Sequence, residues 1–143
     1  MGLASDLNAF CDWLRAEVDK PVILGRPDDA IPGLYVWPWR IMPRSGVSNA
    51  PPRPPDRPPV PSATDVYFLL VPSPALAGEG LASLEAARRA IDAHPVSGSA
   101  SGFRVLAHTD LTVADLTKVF IAGRMELTIC LAFILQGRSS DED

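Results

Sequence analysis

The sequence predicts an α+β fold, a mixed or antiparallel sheet flanked by helices in a single domain, with a long proline-rich loop between two strands. Three observations carry this expectation. Short β-branched or aromatic segments alternate along the chain with segments whose apolar residues recur every three or four positions. The 143 residues match the commonest size of one domain, enough to bury roughly two-thirds of the unfolded surface. Finally, "NAPPRPPDRPPVP" (Asn49 to Pro61) has proline at seven of the eleven positions from Pro51 and lies between two candidate strands.

Leu3, Leu7, Phe10, Leu14 and Val18 form the stripe of an amphipathic helix, with Asp6, Asp12, Arg15 and Glu17 expected on its other sides and Pro21 ending it. After a short Val22 to Leu24 run and a turn-rich stretch to Gly33, "LYVWPWRIM" (Leu34 to Met42) reads as a strand. Pro38 removes one ladder donor, so this strand should lie at an edge or carry a bulge there.

"VYFLLV" (Val66 to Val71) is apolar on both faces, as in a central strand covered above and below or one whose second face meets a partner. Leu81, Leu84, Ala87 or Arg88, and Ile91 predict a helix from about Gly80 to His94, and "FRVLAH" (Phe103 to His108) predicts a strand. Thr112 and Asp115 have capping-box spacing, with Leu111 and Leu116 placed as a hydrophobic staple, so a short helix is expected over about Val113 to Phe120. The alternation in "RMELTICLAFIL" predicts one long strand, Met125 to Leu135, that pairs with Val66 to Val71 for burial. Residues 137–143 read as a frayed tail. The proline stretch then belongs inside the domain, as an arm over residues 43–63, and not between two domains.

Composition narrows the function classes. A formal net charge of −4 argues against broad nucleic-acid binding. No apolar run is long enough to cross a bilayer. Asp6, Asp12, Glu17 and Asp19 interrupt what would be the core of a signal peptide, so a reducing compartment with free Cys11 and Cys130 is expected.

The sequence contains no CxxC, HExxH, GxGxxG, P-loop or GxSxG motif, so no cofactor, metal or catalytic residue is expected. His94, before Pro95, suits a helix end. His108 with Asp110 suggests a base oriented by a carboxylate, but the pair lacks a recognisable nucleophile or metal. "PRPPDR" fits the PxxPxR form that aromatic-lined grooves read, which leaves open an adaptor whose loop is bound by a partner domain.

The remaining candidates are interface residues. Arg44, Arg53 and Arg57 sit on or beside an arm that could span roughly 30 Å as polyproline II. Trp37 and Trp39 share a strand face, as core or, if exposed, as anchors, and Arg124 stands at the mouth of the expected long strand.

The succession "LYVWPWRI", "DVYFLLVPSP", "LASLEAARRAIDAHPVSG", "FRVLAHTDLTVADLTKVF" and "MELTICLAFILQ", about Leu34 to Gln136, resembles the tail terminator or cap proteins of contractile injection systems, which are related to phage tail terminators. The resemblance implies a structural protein without an active site. Such a protein would form a hexameric ring on the distal end of tube and sheath, stop their polymerisation, and be carried in a phage tail-like particle made in the cytoplasm.

Overall fold

The structure, a computed structural model, describes residues 3–43, 64–76, 78–93 and 103–137. The order of elements is α1 (Leu3–Val18), β1 (Val22–Leu24), β2 (Leu34–Pro43), β3 (Thr64–Pro72), a 3-10 turn (Pro74–Leu76), α2 (Glu79–Ala93), β4 (Phe103–Ala107), α3 (Val113–Ala122) and β5 (Leu131–Gly137). The five strands form one mixed sheet in the order β1-β2-β3-β5-β4. β1 runs parallel to β2, and the other neighbours are antiparallel. The expected α+β architecture is borne out.

The centre of the sheet explains its stability. Val66, Phe68 and Leu70 of β3 point to one face and join Phe10, Leu14, Leu84, Ile91 and Phe133 in the main core beneath α1 and α2. Leu69 and Val71 point to the other face, where they meet Phe120 of α3. A strand covered on both sides has no polar face to offer, which is why "VYFLLV" lacks alternation. Phe68 is fully buried, its ring centroid 5.2 Å from that of Phe10 and 5.8 Å from that of Phe133. Burying such a ring stabilises the fold by about 1.5–3 kcal/mol.

β2 carries the irregularity that Pro38 predicts. Pro38 lies opposite Phe68 and Arg40 opposite Tyr67, so Trp39 is an extra residue with no cross-strand partner. β1 reaches only as far as Val36, so beyond it β2 has no paired strand on its outer side among the described residues. The bulge and the open edge thus occur together. Pro43 pairs with Thr64, so residues 44–63 connect two neighbouring strands of one sheet; the arm itself lies outside the described residues, as do His94 and residues 138–143.

Three expectations need correction. The long strand begins at Leu131, not Met125; residues 125–130 are irregular, and Leu127 and Ile129 are about half exposed. Within β5 the expected alternation and the pairing with β3 both hold, with Phe133 opposite Phe68. Asp6, assigned to the polar side of α1, is buried in the first turn, where the helix dipole favours an acidic group. α3 continues to Ala122, two residues past the expected end.

Candidate interaction surface

α3 is positioned by its N-terminus. The Thr112 side chain accepts a hydrogen bond from Asp115 N, and the Asp115 carboxylate accepts one from Thr112 N, closing the capping box. These bonds hold the Asp115 carboxyl below its ordinary pKa. Leu111 and Leu116 pack on the same secondary cluster, which completes the staple. The other end is held from a distance. The Arg26 guanidinium donates to the carbonyls of Gly123 and Arg124, where a helix C-terminus leaves acceptors unmet.

This anchoring lays the C-terminal half of α3 over the two tryptophans of β2. Trp37 meets Phe120 edge to face with centroids 5.4 Å apart. Trp39 stacks on His108 at 6.1 Å with the planes 14° apart, and Tyr67 meets both rings edge to face. The Arg40 guanidinium lies over the Tyr67 ring, 5.5 Å from its centroid. Beside this cluster, Trp37, Trp39, Lys118, Val119, Ala122 and Gly123 line an open groove of about 380 Å³. Its wall is aromatic and aliphatic, with one cationic side chain at the rim.

The candidate residues separate accordingly. Trp37 and Trp39 do share a face, are half-buried, and meet at this groove. Arg124, expected at the mouth of a long strand, instead follows Gly123 in the turn after α3, with φ of 58°. It lines a neighbouring cleft of about 650 Å³ together with Arg26, Asp28, Asp29 and Glu126. Arg44, Arg53 and Arg57 lie outside the described residues.

Sequence reasoning missed Arg26, which sits in a turn-rich stretch 97 residues from its partner. It also missed Lys118, whose solvent-facing place on α3 carried no special signal. The role of Gly123 as the floor beneath Trp37 carried no signal in the sequence and required the fold.

The chemistry of the remaining candidates is that of packing. His108 Nδ1 is buried without a hydrogen-bond partner among the described residues, so Asp110 does not orient the ring through that nitrogen. Desolvation lowers the His108 pKa; Asp110 opposes this, Arg40 adds to it, and Asp115 opposes it more weakly. Burial pushes the Cys11 thiol up to about 11, outweighing the nearby Arg15, and also raises the Cys130 thiol. Among the described residues no group of three or more His, Cys, Asp and Glu is placed to hold a metal ion, and no helix is long and apolar enough to cross a membrane.

The sequence matches no protein-family model and no curated protein. Its fold has counterparts among solved structures, which include terminators and caps of contractile injection systems. The chain is similar to the sheath/tube terminator of the PVC extracellular contractile injection system in its extended state, with a TM-score of 0.75 and 11% identity over 99% of this chain and 59% of that one. It is also similar to the tube-terminating cap of the anti-feeding prophage (AFP), with a TM-score of 0.70 and 12% identity over 96% of this chain and 54% of that one. The chain thus spans between half and two-thirds of the length of these proteins. The resemblance seen in the sequence is borne out at the level of fold.

Proposed function

We propose that this chain is a structural cap that forms a ring on the distal end of the tube and sheath of a contractile injection system and stops their polymerisation. One observation carries the reading: nearly the whole chain superimposes on two proteins whose described role is to terminate such tubes. The surface is consistent with that role. Among the described residues its distinctive features are an aromatic groove and an open strand edge, both suited to protein contacts, and the sequence adds Arg44, Arg53 and Arg57 in the proline-rich stretch.

A closed ring satisfies a head-to-tail contact between copies without leaving free ends. Six copies is the number that the resemblance implies. Arg44, Arg53 and Arg57 of the arm, with Trp37, Trp39 and Arg124, form the proposed contact set toward neighbouring copies and toward tube and sheath proteins. In this reading the protein has no catalytic step and works inside a phage tail-like particle.

Native mass measurement on the purified chain tests the ring: a stable species of six subunits is expected, and a monomer at every concentration, with or without tube and sheath proteins, would refute it.

A further inference from the structure

The two outer edges of the sheet differ in what they can pair with. Leu34 N donates to Pro21 O and Val36 O accepts from Gly25 N, so both turn outward, toward β1. Backbone direction alternates along a strand, so Pro38 faces the same way, and after the bulge the register with β3 turns Pro43 outward too. Neither has an N–H, so this edge suits side-chain contacts and resists an added strand. At the opposite edge His108 N donates to Ala132 O of β5. The same alternation turns Arg104 and Leu106 toward β5 and leaves the N–H and C=O of Phe103, Val105 and Ala107 facing outward. β4 holds no proline, and no strand lies beyond it among the described residues. The sheet can therefore grow at β4 and not at β2.

The chain also carries a strand-like segment that lacks a partner. Glu126 to Cys130 runs without a turn or bend into β5, and Glu126 to Ile129 make no backbone hydrogen bond among the described residues. β3 stops pairing where Leu70 meets Leu131. Leu127 and Ile129 are left about half exposed. Glu126, Leu127 and Thr128 line one side of the cleft of about 650 Å³, so open space adjoins them. The segment cannot fill the β4 edge of its own copy, because it continues into β5, which occupies the inner side of β4. It would have to cross β4 to reach the outer side.

Charge and polarity decide how the two halves fit. Arg104 and Glu126 are both exposed, and neither is in an ion pair among the described residues. Glu126 shares its cleft with Asp28 and Asp29, while Arg26 is already committed to the carbonyls of Gly123 and Arg124. A parallel register that sets Arg104 beside Glu126 also sets Val105 beside Leu127 and Ala107 beside Ile129, opposite charges together and apolar side chains together. No antiparallel register brings about all three matches. We propose that the open edge of β4 receives residues Glu126 to Cys130 of a second copy as an added parallel strand. This rests on the ring reading for the second copy and gives that ring a head-to-tail contact, since each copy carries both halves.

Three full-length variants at exposed sites test this. Arg104→Glu sets two carboxylates against each other at every contact, and Glu126→Arg sets two guanidiniums. Ala107→Pro removes an outward N–H that β4 does not use within its own sheet. In sedimentation equilibrium each alone associates about tenfold more weakly than the unmodified chain. An equimolar mixture of Arg104→Glu and Glu126→Arg regains the unmodified affinity, because every mixed contact joins opposite charges. A mixture that gains nothing overturns the proposal.

Hydrogen exchange reads the edge itself and does not depend on assembly. A peptide of residues 124–131, added to the Glu126→Arg variant with its intact β4, slows exchange at the Val105 and Ala107 amides about tenfold, and the same peptide carrying Glu126→Arg slows it by no more than about twofold. No slowing, or equal slowing by both peptides, overturns the assignment. A sixfold ring that persists in all three variants rejects the β4 contact and leaves the ring standing. Selective slowing in a chain that stays monomeric keeps the contact and rejects the ring.

Discussion

Gly123 lies so close beneath Trp37 that a Cβ in its place would fall inside the van der Waals envelope of Cζ2 and Cη2 of the indole. Its φ of −81° is open to any residue, so space and not backbone freedom demands glycine here. Gly123→Ala must therefore displace the Trp37 ring or the end of α3. Overpacking of this kind costs about 1–3 kcal/mol. Urea denaturation should show that loss together with altered tryptophan fluorescence, and an unchanged midpoint would mean that α3 does not sit on Trp37.

The centre of β3 should be the most sensitive part of the core. Phe68→Ala removes a ring that packs on both Phe10 and Phe133 and leaves a cavity under α1. A loss of about 3–5 kcal/mol is expected from equilibrium unfolding. Ile41→Ala, at a side chain 61% exposed on the same sheet, should change stability by no more than about 0.5 kcal/mol.

α3 depends on its cap. Thr112→Ala removes the acceptor for Asp115 N and should cost about 1 kcal/mol. The Asp115 carboxyl has a depressed pKa in the folded state, so its contribution is present above the unfolded value, near 3.8, and is lost as pH falls through the lower folded value. Stability measured below pH 4 should fall more steeply in the unmodified chain than in Thr112→Ala.

His108 gives a second pH dependence, nearer neutrality. Its folded pKa is lowered below 6.5, chiefly by desolvation, so the stability tied to the neutral ring is present above that pH and declines as pH falls through the folded value. The charged groups that act on it are Asp110, Arg40 and Asp115. His108→Phe keeps a ring against Trp39 and Tyr67 but does not titrate. The stability difference between pH 7 and pH 5 should shrink in this variant, and an identical difference would show that His108 titrates without consequence for the fold.

How much of this was legible in the sequence depended on whether the cause was local. The cap of α3 rests on residues three apart and the bulge of β2 on the missing N–H of Pro38, so both could be read directly. β3 was legible because burial on two faces leaves an uninterrupted apolar run. Met125 to Cys130 misled because alternation marks a capacity for strand, not the presence of a partner. The chain leaves α3 above the far side of the sheet, where Arg26 holds Gly123 and Arg124, and must travel to β5 before pairing can begin at Leu131. The groove was half legible. Trp37 and Trp39 stood out, but the wall opposite them comes from α3, some eighty residues later, and only the fold brings the two together.

The central claim is that the chain caps a growing tube and sheath, and imaging the particle ends tests it most directly. Tube and sheath proteins assembled with and without the chain should be compared by cryo-electron microscopy. The account predicts a ring of this chain at one end of particles of uniform length, and uncapped assemblies of uncontrolled length in its absence. Bare ends and the same length distribution with and without the chain would contradict it.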